Sequence, residues 1–227
     1  MQPIHNQMML CRHNSFGQGR MQSVGVQSVV DTFERRVIGH QGQLPQIVRA
    51  ARSVDAPYGK SAGRKPQAAI YFTGLVPSAI ENPASDLRTT FDAILNAGIE
   101  PGHVVFEIEE EDLARDPAHS EAIRRYLRLK GFAFAVANAG VSAGGFSLQA
   151  VRDSSPDYIK LDKRLVRNLH QLSCAPIIRK LVQLGEVSGA CVVAEGVDRL
   201  GMLEDLWLLG VRFMQGRLFG QRELLPM

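Results

Sequence analysis

Three ionisable residues stand inside apolar, strand-like runs: Glu107 in "HVVFEIEE", Lys160 in "DYIKLD" and Glu195 in "ACVVAEGV". A carboxylate or ammonium withdrawn from water needs a counter-charge or hydrogen-bond donors to offset its desolvation. A structural ion pair between Glu107 and Lys160 is one way to meet that need. A shared pocket is the other, because three such groups at corresponding strand ends point to one site. In parallel α/β proteins function gathers at the carboxyl ends of the strands. Read in order, those ends are Thr73-Gly74, Glu107 to Glu111, Ala137-Asn138, Lys160 to Asp162, Glu195 and Gln215.

The elements that must position these groups follow from periodicity. "AAIYFTGL", "HVVFEIEE", "FAFAVAN", "DYIKLD", "ACVVAEGV" and "RFMQGRLFG" read as strands, and the segments between them carry apolar residues at helical spacing, as in Leu87, Phe91, Ile94 and Leu95. "KRLVRNLHQLSCAPIIRKLVQLG" reads as a longer helical region with Leu165, Val166, Leu169 and Leu172 on one side, restarted near Pro176. Strands alternating with helices over about 150 residues call for a parallel sheet, open or closed into a barrel. Before residue 68 the pattern is less regular. "MQPIHNQMML" reads as a strand, "SVVDTFERRVIGH" and "LPQIVRAAR" as helical, and "APYGKSAGRKPQ" as a basic surface loop.

Other motifs carry less. Gly140-Val141-Ser142-Ala143-Gly144 fits the letters of a nucleophile elbow, yet only His170 follows it, short of the acid and histidine such a hydrolase places downstream. The six histidines form no HxH or HExxH pattern, and the three cysteines are widely spaced packing residues of a reduced, cytoplasmic protein. A net charge of +3, with Lys and Arg scattered, gives no duplex-binding stripe. No apolar run has the length of a membrane span and the opening residues lack a leader pattern, so no membrane partner is expected.

The order of strand-end motifs resembles the EAL family of bacterial cyclic di-GMP phosphodiesterases over nearly the whole chain. "MQPIH" looks like the family's opening "QPI" strand and "VVFEIEEEDL" like its "LEITE" segment. "SSPDYIKLDKRLV" is similar to "PVDYIKIDKSFV", "VVAEGVDRLGMLEDLWLLGV" to "AEGVET" and the following helix, and "MQGRLFG" to "QGYLFS". The resemblance implies an α/β fold, a TIM-type (β/α) barrel of the EAL kind that leaves room for modified first strands. It implies one domain over residues 1–227, divergent over 1–67 and regular over 68–220.

Active members are implied to hold Mg²⁺ or Mn²⁺ that activates water against a phosphodiester. The ligands include the Glu of EAL, an Asn on the next strand, the Glu of LEITE and the first Asp of a "DDFGTG" loop. Glu107 takes the LEITE position, the Asn position falls on Gly74, and the two Asp positions fall on Ala137 and Asn138. No EAL triplet stands in the region read as its place, "CRHNSFGQGR". Lys160, Glu195 and Gln215 match positions that support the water, the metals or the phosphate.

The expectation is therefore an inactive relative with no cofactor, Mg²⁺ or Mn²⁺ entering only if hydrolysis persists. Its function is expected to be contact with a regulatory protein partner. A non-hydrolysing cyclic di-GMP receptor is the alternative, using Gln2, Pro3, Arg20 and Arg217, and residual metal-dependent phosphodiesterase activity is a minor one. The resemblance also implies a homodimer through the helix after the acidic loop.

Overall fold

A computed structural model describes residues 25–45, 47–48, 69–140, 146–219 and 223–224. Its strands are β1 (Gly25–Asp31), β2 (Arg36–Gln41), β3 (Ile70–Gly74), β4 (Val104–Glu109), β5 (Ala133–Ala139), β6 (Tyr158–Leu161), β7 (Cys191–Glu195), β8 (Phe213–Gln215) and β9 (Glu223–Leu224). Strands β2 to β8 pair in parallel in chain order. Strand β1 runs antiparallel between β2 and β8 and closes the barrel, and β9 adds to β1 at its start.

The expected TIM-type barrel is thus present, and the helices lie where the sequence pattern puts them. They are α1 (Pro83–Asp86), α2 (Arg88–Asn96), α3 (Glu110–Arg115), α4 (Pro117–Leu129), α5 (Phe146–Ser154), α6 (Lys163–Arg167), α7 (Cys174–Ser188) and α8 (Leu200–Leu208). Alternation divides the strands between two cores. On β4, Val104, Phe106 and Ile108 pack outward with the helices' Ile94, Ile123 and Leu127, while Val105 joins Val29, Phe72, Ala135 and Val193 inside the barrel. Glu107, two residues beyond Val105, therefore points inward and toward the carboxyl ends.

Two readings of the sequence are corrected. "SVVDTFERRVIGH" is not helical: it forms the antiparallel β1–β2 hairpin, with Gln27 opposite Gln41 and Asp31 opposite Arg36. The turn is held by Asp31, whose Oδ1 accepts from the amides of Phe33 and Glu34, each at 3.1 Å, while Arg35 takes φ of 52°. Arg212, entering β8, donates to both Asp31 oxygens at 2.9 and 2.6 Å, and the Trp207 indole donates to Thr32 Oγ1 at 2.8 Å. A tertiary clamp overrides the local helical spacing. The second correction concerns Leu172, read on one side of a helical region with Leu165, Val166 and Leu169. It is 96 % exposed, because α6 stops at Arg167 and α7 starts only at Cys174, with Pro176 in its first turn.

Candidate functional site at the barrel mouth

Each barrel strand sends one inward residue to the mouth: Gln27 from β1, Gln41 from β2, Gly74 from β3, Glu107 from β4, Ala137 from β5, Lys160 from β6, Glu195 from β7 and Gln215 from β8. Lys160 is fully buried, with Nζ 2.5 Å from Glu107 Oε1 and 2.5 Å from Glu195 Oε1, and it lies 5.4 Å from the centre of the Phe72 ring. The other Glu107 oxygen, Oε2, accepts from the Gln41 amide at 2.9 Å. Gln215 donates through Nε2 to Gln41 Oε1 and to Gln27 Oε1, the latter at 2.8 Å. One polar chain thus crosses the mouth through six of the eight strands.

The charges in this chain are set by burial and pairing. Burial pushes the Glu107 carboxyl above its ordinary value, Lys160 only partly offsets this, and Glu195 adds repulsion. Burial alone would push Lys160 down, but attraction from Glu107 and Glu195 wins and holds the ammonium above its ordinary value. Two carboxylates thus flank one ammonium.

Beside the chain is a cavity of about 480 Å³, floored by Gln41, Gly74, Glu107 and Ala137. Leu75, Leu87 and Phe106 form its wall, and Glu109, Glu111, Asp112 and Arg115 its rim. Gly74 leaves real space, since a Cβ built on it meets nothing within 4 Å. Asn138 follows Ala137 with φ of 56° and is half-buried. Beyond it, the Gly140 amide donates to buried Glu110 Oε2 at 2.9 Å, which ties the end of β5 to α3.

Glu107, Lys160, Glu195 and Gln215 lie in one hydrogen-bonded chain at the mouth, and Glu107 and Lys160 form an ion pair there. Gly74 and Ala137 face the same space without a ligating atom. Arg217 is exposed on the far rim in a short 3₁₀ turn, held by Asp198: its guanidinium is 2.9 Å from Oδ2 and its amide 3.1 Å from Oδ1. Arg167 shares Asp198 at 3.3 Å.

Gln2, Pro3, Arg20 and the "CRHNSFGQGR" segment lie outside the described residues. Strand β1 closes the described barrel, and its mouth residue is Gln27, opposite Gln41. The strand before the one carrying Gly74 is β2, and its mouth residue is Gln41 in "GHQGQL". The residues after it are Gly42, Gln43 and Leu44. Sequence reasoning missed Gln41 because it sought a carboxylate; the amide isostere at the end of a strand-like "RVIGHQ" was the available signal.

The donor set does not fit a divalent ion of the Mg²⁺ or Mn²⁺ kind. Such ions need several hard oxygen ligands around one point. Among the described residues no three His, Cys, Asp or Glu side chains converge in that way, and both Glu107 oxygens are engaged.

A closed β/α barrel with an antiparallel first strand and a glutamate–lysine–glutamate cluster at its mouth defines the class. The chain belongs to the EAL domain family, whose model matches residues 64–222. It is 30% identical over 131 residues to the bifunctional diguanylate cyclase/cyclic di-GMP phosphodiesterase MucR of Pseudomonas aeruginosa, covering 57% of this chain and 19% of MucR. It is 34% identical over 123 residues to the cyclic di-GMP phosphodiesterase RocR of the same organism, covering 53% of this chain and 31% of RocR. The chain thus spans less than a third of either curated relative. Klebsiella pneumoniae BlrP1, solved at pH 8.0 as a calcium/cy-diGMP complex, shares the fold with a TM-score of 0.71 at 24% identity, over 88% of this chain and 56% of that one. Among the described residues no helix is long and apolar enough to cross a membrane.

Proposed function

We propose that this chain is an EAL domain that does not hydrolyse cyclic di-GMP, binds no catalytic metal, and acts in bacterial signalling by contacting another protein in the cytoplasm. The supporting observation is the state of Glu107. Its one oxygen is taken by Lys160 and its other by Gln41, whereas Gln41, Gly74 and Ala137 offer no anionic oxygen to share a metal with it. Hydrolysis of a phosphodiester at neutral pH leans on metal-activated water, so losing the ligands together removes most of the rate.

The rim favours a protein partner over a nucleotide. Glu109, Glu111 and Asp112 surround the cavity, and Arg115 is already paired with Asp112 at 2.6 Å. Arg217, the cation assigned to a phosphate, is committed to Asp198. A second reading, a non-hydrolysing cyclic di-GMP receptor, is supported by the open cavity and by relatives solved with that ligand.

Calorimetric titration with cyclic di-GMP, with and without Mg²⁺ or Mn²⁺, followed by chromatography for the linear product, tests the proposal. The expected result is neither heat nor product. Heat without product establishes the receptor, and product overturns the proposal.

A further inference from the structure

Helix α8 reads Leu-Gly-Met-Leu-Glu-Asp-Leu-Trp-Leu and is apolar around nearly its whole circumference, a composition that suits a helix covered on both sides. Met202 and Leu206 are buried against the barrel. On the opposite face Leu200, Trp207 and Leu208 stand 66 %, 40 % and 80 % exposed. The tip of the β1–β2 hairpin extends this face: Phe33, 58 % exposed, meets Trp207 edge-on with ring centres 6.2 Å apart. Both rings are held in place, Trp207 by its indole bond to Thr32 and Phe33 by the Arg212 guanidinium 5.8 Å from its ring centre. Trp and Arg side chains already fixed in place are those on which protein interfaces most often depend.

We infer that this face pairs with the same face of a second copy of the chain. At roughly 150–250 Å² for a large side chain, the four residues leave on the order of 400–600 Å² of mainly apolar surface in water. A standard interface covers about 800 Å² on each partner, somewhat more than half of it apolar, so the patch has the size that a pair of copies needs. The charges beside it are self-complementary. Glu204 is exposed one turn from Trp207 toward the mouth, and Arg35 is exposed in the hairpin turn at the base. Neither makes an ion pair among the described residues. A two-fold axis through the aromatic pair, perpendicular to the barrel axis, exchanges mouthward and baseward positions, so Glu204 of each copy meets the second copy's Arg35. The helix that the family resemblance puts at a dimer contact is α5. Its described outward residues are Gln149, Arg152 and Asp153, and among the described residues it exposes no large apolar side chain. The pairing through α8 does not depend on whether the mouth hydrolyses a phosphodiester.

Sedimentation velocity of the full chain under reducing conditions, from about 1 to about 300 µM, tests the pairing. The expected result is a reversible monomer–dimer equilibrium that saturates at two copies. Leu208→Glu, a change at an exposed side chain, is expected to weaken it more than about tenfold with an unchanged melting temperature. Arg35→Glu and Glu204→Arg are each expected to weaken it about threefold or more, and the two changes combined in one chain to restore it. The two side chains form no ion pair within one copy, so restoration reports a contact between copies. Arg152→Glu on α5 is expected to leave the equilibrium unchanged. A monomer throughout the range, association that grows past two copies, or a dimer broken by Arg152→Glu and not by Leu208→Glu overturns the pairing through α8. No recovery in the double variant, with Leu208→Glu still disruptive, overturns the two-fold arrangement.

Discussion

Gln41 and Glu107 meet across the barrel mouth, the amide of β2 donating to the carboxylate of β4 at 2.9 Å. The contact joins strands that are not neighbours, since β3 lies between them and presents Gly74 there. A neutral amide thus completes the hydrogen bonding of a carboxylate whose counterpart in active relatives is implied to hold metal.

Restoring the oxygens should restore metal affinity. The variant Gln41→Glu, Gly74→Asn, Ala137→Asp, Asn138→Asp is expected to bind Mn²⁺ in an electron paramagnetic resonance titration in which the parent chain leaves the ion free. Gly74 has room for the new side chain. Equal Mn²⁺ binding by the parent chain would refute the proposed loss.

Removing Lys160 should be far more damaging than neutralising Glu107. Lys160→Met leaves two carboxylates without their buried cation and is expected to cost about 3–5 kcal/mol in urea unfolding. Glu107→Gln leaves Lys160 paired with Glu195 alone, a neutral couple, and should cost less. The sign of its pH dependence follows from the raised carboxyl. The folded state keeps that proton longer than the unfolded chain, so the parent's Glu107 contribution declines as pH rises from 4.5 through the folded value. Glu107→Gln should remove that decline.

The hairpin clamp should respond to acid in the opposite sense. Although burial opposes it, Arg212 holds Asp31 below its ordinary 3.8, so the stabilisation is full above that value and is lost as pH falls through the lower folded value. Asp31→Asn is expected to cost about 2 kcal/mol near pH 7 and to flatten the acid limb of a plot of urea midpoint against pH. Trp207 is the chain's sole tryptophan and its indole touches Thr32, so its fluorescence reports the hairpin. An unchanged acid limb in Asp31→Asn would count against the clamp.

Two mouth glycines should behave differently. A Cβ at Gly216 would stand 2.1 Å from the Val197 carbonyl oxygen, where β8 passes the loop after β7, whereas one at Gly74 meets nothing. Gly216→Ala should therefore lower the melting temperature sharply and Gly74→Ala hardly at all, as read by circular dichroism.

The sequence was readable where physics is local. From β3 to β8, runs buried on both faces alternate with helices whose apolar stripes and stops are encoded within a dozen residues, and Glu107, Lys160 and Glu195 were conspicuous as charges among them. The first hairpin was not readable in this way. Val29, Val30, Val37 and Ile38 suit a helix or a strand by spacing, and the decision is made by Asp31, whose turn is secured by Arg212 about 180 residues downstream. Gln41 was hidden for the related reason that its meaning comes from standing opposite Glu107, and nothing in "HQGQ" announces that pairing.

Strand β1 runs against the other seven, so its first residues pair with β9 at the same end of the barrel that holds Gln41 and Glu107. Both ends of the closed ring of strands therefore leave from one rim. A tensile load applied through either end is borne first by that rim, and mechanical unzipping would open the mouth while the base is still closed.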